Sequence, residues 1–258
     1  MTRYAMITGA SSGLGLALAE ALARRGRNLI LVARQRETLE PVAIELAQRF
    51  GVEVLLRACD LSQPLRLSGF VLELEEGERR IDLLVNCAAQ RTYGPFLAHE
   101  WADEQDLLEV NILALSRLCH AIGNLMAVQG GGQILNVAGL AGVAPGPWMA
   151  AYAASKAYVL SFSEALREEL RRTGIKVSVL CPGPVRSAKR PIPRLDGNSP
   201  SPEEIALYTV RALAKNRALI IPGQRNRWLA FAPRLLPRWL ARKLAGRIHR
   251  RYCPAGLE

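Results

Sequence analysis

Apolar runs of strand length and segments of helical character alternate along almost the whole chain. No other feature constrains the fold as much. The strand-like runs lie at 4–8, 28–33, 52–59, 81–86, 133–137, 175–180 and 218–221. Between most of them stand helix-like segments at 13–25, 37–50, 100–128, 150–172 and 202–215, with a weaker one at 65–76. Strands alternating with helices imply βαβ units and a parallel sheet. The runs are apolar without a polar residue at every second place, the pattern of strands covered on both faces. The expectation is an α/β fold, doubly wound, with helices on both sides of the sheet. Gly26, Gly51, Gly77 and Gly174 stand where helices should stop. No linker divides the chain, so residues 1–223 read as a single domain and 224–258 as a basic, Trp- and Leu-rich extension.

Composition narrows the function classes. Half of the 258 residues are apolar and 22% are charged, ample material to offset chain entropy, which excludes disorder as the main state. No run of roughly 18 uncharged apolar residues appears, which excludes a multi-span membrane protein. The formal charge is +11, yet nine Arg or Lys and no acid lie within 224–252. A charged extension implies a local surface contact; without a reader motif it does not imply nucleic-acid binding. Trp228, Leu229, Phe231, Leu235, Leu236, Trp239 and Leu240 are interleaved with those cations. Such a segment suits an anionic membrane interface, or packing on the protein or a second subunit with Arg stems covering apolar surface. Cys59, Cys87, Cys119, Cys181 and Cys253 are scattered, with no C-x-x-C pair and no zinc spacing, so no metal site is expected. With no secretory signal at the start, the expected compartment is the reducing cytoplasm.

Residues 8–15 read Thr-Gly-Ala-Ser-Ser-Gly-Leu-Gly, after the first strand run and at the opening of the first helix. A pyrophosphate site needs a tight turn, a backbone free of side chains, close helix–strand packing and the amides of a helix N-terminus. Gly9, Ser11, Ser12, Gly13, Leu14 and Gly15 are therefore candidate cofactor contacts. Folds that bind NAD often carry an acid about 20 residues further on, for the ribose 2′-hydroxyl. Here Ala33 and Arg34 end the second strand run. A guanidinium suits a 2′-phosphate, so NADP(H) is preferred over NAD(H). Asp60 and Leu61 end the third run, where an adenine ring could meet a carboxylate and an apolar side chain. Asn86 and Ala88 end the fourth, where small residues let a cofactor approach. All these motifs fall at the carboxyl ends of strands, where open α/β sheets bind ligands.

Tyr152 and Lys156 are four apart in a helical segment and share a face. A neighbouring ammonium favours the phenolate and lowers the phenol pKa, which would fit Tyr152 for proton transfer to a carbonyl.

Together, the TGASSGLG turn, Asp60, the LVNCAA run, Asn111, YAASK and Cys181 through Ser187 resemble the short-chain dehydrogenase/reductase family, in the branch whose chains have about this length. The basic, apolar end resembles the family's reductases with such a tail. The resemblance implies a Rossmann fold with a seven-stranded parallel sheet and hydride transfer between a nicotinamide and a carbonyl or secondary alcohol. It implies Tyr152 as acid/base, Lys156 on the nicotinamide ribose and Asn111 holding a relay water. Pro182, Gly183, Val185 and Ser187 would line the nicotinamide. It also implies a homodimer or homotetramer built on helices 100–128 and 150–172.

Two departures stand out. The family places a Ser thirteen residues before the Tyr, and here that position is Gly139. No Ser or Thr occurs between Arg117 and Ala154, so no neighbour replaces it. Losing one donor to a developing oxyanion costs about 3 kcal/mol, roughly a hundredfold in rate. The expectation is a slow or unusual reductase, with a catalytically impaired cofactor-binding sensor as the alternative. Cys87 and Ala89 stand where the family usually has Asn and Gly, and a β-carbon at Ala89 is expected to crowd the backbone near the cofactor. The segment 186–202, rich in Pro and basic residues, reads as a substrate loop. Tyr93, Trp148 and Met149 are candidate walls of the substrate pocket, together with Gly139.

Overall fold

The computed structural model describes residues 2–77, 79–186 and 199–231, with 237, 240, 243 and 245–247 of the extension. Seven strands form one sheet: β1 (Arg3–Thr8), β2 (Asn28–Ala33), β3 (Val54–Ala58), β4 (Arg80–Asn86), β5 (Gly132–Val137), β6 (Ile175–Leu180) and β7 (Leu219–Ile220). Their order is β3-β2-β1-β4-β5-β6-β7, and every pairing is parallel. From β1 the chain runs outward to β3, then returns to place β4 on the other side of β1. That reversal opens a crevice at the carboxyl ends of β1 and β4.

Helices cover both faces, as the apolar strands require. On one side α1 (Gly13–Ala23), α2 (Glu40–Phe50) and α7 (Pro202–Ala214) bury Leu18, Leu22, Leu46, Ile205 and Val210 against the sheet. On the other, α3 (Pro64–Glu76), α5 (Leu115–Val128) and α6 (Ala150–Glu169) bury Phe70, Val71, Leu118, Ile122 and Val159. The short α4 (Trp101–Leu108) leads into α5 through a π-helical stretch, Glu109–Ala114.

Sequence reading and structure differ at several boundaries, each with a cause. The weak segment at 65–76 is a full helix, α3, started by Pro64. The helix expected from 37 begins at Glu40, after a single 3-10 turn at Arg36–Thr38, because Pro41 fits only a first helical turn. Gly51 and Gly174 end their helices in the left-handed conformation, with φ of 67° and 77°. Gly77 does not: its backbone is extended, and its use is steric, since a β-carbon there would sit 3.1 Å from the Glu73 carbonyl oxygen. Trp101–Val128 is long and apolar enough to cross a membrane, yet more than half of its apolar window is buried in the fold, as in a core helix.

The start of the extension is itself helical. In α8 (Gln224–Phe231), Ala230 joins the main core and the helix lies against the 3-10 turn Leu140–Gly142. Trp228 remains 78% exposed. Further on, Gly246 lies near Pro147: a β-carbon on it would be 3.7 Å from the proline Cγ.

Candidate active site

The turn between β1 and α1 is forced by contacts. Gly9 has φ of 69°, and a β-carbon on it would lie 2.9 Å from the Ala88 backbone. A β-carbon on Gly15 would lie 2.1 Å from the Gly9 carbonyl oxygen. Any side chain at either place pushes helix from strand. Gly13 is the opposite case, with φ of 58° and nothing within 4 Å of a β-carbon. Its open side leaves a cradle that a phosphate can fill. Ser12 precedes α1 without capping it through its side chain, so the first-turn amides have no partner from that side chain. Ser11, Ser12 and Leu14 are half-buried around this cradle.

Thr8, which the sequence reading used only as the edge of the motif, ties the crevice together. Its buried Oγ1 accepts hydrogen bonds from the amides of Cys87 at 3.0 Å and Ala88 at 3.1 Å. The end of β4 is thereby fixed beneath the glycine turn, with Ala88 against Gly9.

Arg34 stands exposed at the end of β2, and among the described residues no hydrogen bond or ion pair engages it. Its neighbour Arg36 is held by Glu40 at 2.8 Å. Asp60 uses one oxygen, Oδ1, to accept from the Ser62 amide and hydroxyl at 3.0 and 2.9 Å. Leu61 is 7% exposed and belongs to the same core cluster as Leu67 and Phe70. Asn86 is buried. Its Nδ2 donates to Asn136 Oδ1 at 2.9 Å and contacts Cys119 Sγ at 3.3 Å, and Asn136 in turn donates to Ser163 Oγ at 3.0 Å. The side chain braces β4, β5 and α6 inside the protein. Ala89 is exposed.

After β6, the Pro182 carbonyl accepts the Leu140 amide at 3.0 Å. Gly183 lies under Asn226 of α8: a β-carbon would lie 2.6 Å from its Oδ1, so the Asn226 side chain would have to shift. Val185 packs against the α1 and α7 side. Ser187 and most of the segment 186–202 lie outside the described residues.

Tyr152 and Lys156 do share a face of α6, with Nζ 5.7 Å from the centroid of the Tyr152 ring. Two further glycines seat this helix. A β-carbon at Gly142 would be 2.4 Å from the Lys156 carbonyl carbon, and one at Gly146 would be 2.6 Å from Ala153 Cβ. The run of small residues from 138 to 146 was the available signal for this close approach. Lys156 Nζ donates to the Val137 carbonyl at 2.9 Å. Burial pushes its pKa down to about 8, against weaker upward pulls from Cys87 and Cys181. The Tyr152 phenol is shifted up, not down. Burial raises it, and the charge that opposes the rise is that of Arg91. The ammonium stands over the ring and bonds to a carbonyl, so the expected lowering by Lys156 is not the dominant effect.

Asn111, at the π-helical stretch, clasps the loop after β4. Its Oδ1 accepts from the Gln90 amide at 2.8 Å; its Nδ2 donates to the Gln90 carbonyl at 2.9 Å and to Ser155 Oγ at 3.0 Å. Ser155 Oγ donates in turn to the Tyr152 carbonyl at 2.7 Å. Loop and catalytic helix are thus one hydrogen-bonded unit. The second clasp joins two of the segments read as pocket walls: the Gly94 amide donates to the Trp148 carbonyl at 2.8 Å, bringing the Tyr93 loop to the segment of Trp148 and Met149. Trp148 holds φ of 69°, unusual for a bulky residue. Gly139 is extended, with φ of 162° and ψ of 161°, and the nearest atoms to a β-carbon are 3.9 Å away. A side chain fits there without strain.

A parallel sheet with a glycine cradle at its switch point and a Tyr–Lys helix beside it defines a dinucleotide-dependent oxidoreductase scaffold. The chain belongs to the short-chain dehydrogenase family, whose model matches residues 3–191. It is 30% identical over 225 residues to ketoacyl reductase HetN of Nostoc sp., covering 85% of this chain and 78% of that one. It is 32% identical over 244 residues to inactive hydroxysteroid dehydrogenase-like protein 1 of Rattus norvegicus, covering 92% of this chain and 73% of the relative. A short-chain dehydrogenase from Sphingobium yanoikuyae, solved in complex with NADPH, superposes with a TM-score of 0.80 at 28% identity, covering 100% of this chain and 98% of that one.

Proposed function

We propose that this protein is an NADP(H)-dependent oxidoreductase acting on a carbonyl or secondary alcohol. The observation that carries the reading is the Tyr152–Lys156 pair, seated by Gly142 and Gly146 beside the glycine cradle. The cofactor, when bound, supplies or accepts the hydride. Gly9, Gly13, Gly15 and the first-turn amides of α1 would hold its pyrophosphate; Arg34 would pair with the 2′-phosphate and Asp60 would meet the adenine end. Pro182, Gly183 and Val185 would flank the nicotinamide. Tyr152 donates its proton to the carbonyl oxygen as negative charge builds there. A phenol raised by burial is fully protonated at neutral pH, as a donor must be. Lys156 binds the ribose and stabilises the phenolate left behind. Asn111 fixes the loop and, through Ser155, the helix; the relay water belongs on the same residue.

NADPH bound to a structural neighbour supports the cofactor class, and Arg34, which has no partner among the described residues, supports NADP over NAD. Arg34→Leu is expected to weaken NADPH binding about tenfold or more while leaving NADH nearly unchanged. Gly139 sustains one second reading, a cofactor-binding protein with impaired turnover, and a relative named inactive is consistent with it. The test is titration calorimetry with NADPH and NADH, followed by NADPH oxidation against mixed ketones and 3-oxoacyl thioesters. Binding with turnover supports the enzyme. Binding without turnover on any substrate supports the impaired reading.

A further inference from the structure

The loop after β4 carries a cation that the reaction just described does not use. Gln90 is gripped at both its amide and its carbonyl by Asn111, and Gly94 is bonded to Trp148. Arg91 stands between these two anchors, exposed, one residue from the clasp that continues through Ser155 to Tyr152. The segments that wall the substrate side, 87–96, 138–156 and 181–186, contain no Asp or Glu and three cations: Arg91, Lys156 and Arg186. Lys156 is bonded to Val137 and Arg186 donates to the Ser199 carbonyl at 3.2 Å. Among the described residues, no hydrogen bond or ion pair engages Arg91. Its charge nevertheless reaches the Tyr152 phenol, the group that meets the reacting oxygen. On the opposite side, the space above Gly139 is open, so a substrate is not held there by a protein hydroxyl.

We propose that Arg91 determines substrate class, receiving a compact anionic group, a carboxylate in the simplest case, carried by the substrate a few bonds from its carbonyl. The guanidinium offers a planar fork of donors that matches a carboxylate in two parallel hydrogen bonds. Held on a loop clasped to the catalytic helix, it orients the carbonyl toward Tyr152 in place of the absent serine hydroxyl. This inference rests on the oxidoreductase reading above.

The experiment compares an oxo carboxylate with its methyl ester, using the full-length protein and NADPH. The parent should favour the acid in kcat/KM by about tenfold or more. Arg91→Gln should erase that preference, chiefly through KM; Arg91→Lys should keep part of it; Arg91→Glu should favour the ester. Arg172→Gln, at an exposed cation in the 3-10 turn Leu170–Thr173 that follows α6, serves as the control for general charge and should leave the ratio unaltered. An acid-to-ester ratio that is the same in parent and Arg91→Gln overturns the proposal. A second readout separates it from the enzyme reading: calorimetric titration of a saturated carboxylate and its amide into the NADP-loaded protein. Carboxylate binding lost in Arg91→Gln supports the anion site even if no substrate turns over. Carboxylate and amide binding equally to the parent overturns it.

Discussion

The cofactor side and the substrate side of this crevice are built by opposite means. Between β1 and α1 two glycines are dictated by a neighbour: Gly15 by the Gly9 carbonyl at 2.1 Å, Gly9 by Ala88 at 2.9 Å. Across the crevice Gly139 is dictated by nothing, with 3.9 Å of clearance and a backbone that any residue adopts. The first is a glycine the fold requires; the second is a glycine the fold merely tolerates. A pattern of required glycines reports on what the backbone must approach. A tolerated glycine at a functional place reports on chemistry.

The largest effect expected from this contrast is at Gly15. Gly15→Ala should cost about 3 kcal/mol or more in denaturant unfolding and abolish detectable NADPH binding, because backbone must move. Unaltered binding would show that the turn is slack and break the comparison. Next is Lys156, whose native pKa near 8 lies below the 10.5 of the unfolded chain. Between those values the unfolded state binds more protons, so stability should climb as pH rises from 8 to 10.5 and lie on its lower plateau below 8. Lys156→Met should lack that slope and, at pH 7, gain up to about 3 kcal/mol in the apoprotein while losing turnover. Denaturation midpoints across the pH series check it.

Gly139→Ser should shift stability by no more than about 0.5 kcal/mol. It should also raise kcat by roughly a hundredfold, through a restored donor to the oxyanion. If stability falls sharply instead, Gly139 is a required glycine after all. The smallest effect expected is at Thr8. Thr8→Val keeps the shape and leaves the Cys87 and Ala88 amides without their acceptor, at about 2 kcal/mol of stability. Cofactor affinity measured beside the unfolding curve then shows how far the β4 clasp shapes the cradle.

These contrasts also explain what could be read from the sequence. The order of strands and helices, the glycine turn and the Tyr–Lys spacing were legible because each is a local pattern with a local cause. That the side chains of Asn86 and Leu61 are buried was not legible. Strands apolar on both faces carry no alternation to say which way a given side chain points. Asn111 was marked by resemblance, but two of its three hydrogen bonds go to backbone groups of Gln90, which have no side-chain signature. The extension read as basic and amphipathic; that its first helix would sink Ala230 into the core and set Asn226 over Gly183 depended on contacts between residues far apart in sequence.

The π-helical stretch at Glu109–Ala114 has a consequence for the long helix around it. One extra residue in a turn changes angular phase by about 100°. The part before it aims Leu107 into the fold, and the part after aims Leu118 and Ile122 into the core, each in its own frame. Deleting a single residue there would give a locally better-bonded, uninterrupted α-helix. It would also rotate either Asn111 or the buried stripe of α5 away from its partners. The chain keeps an inferior turn because two frames must meet at one residue, and that residue is Asn111.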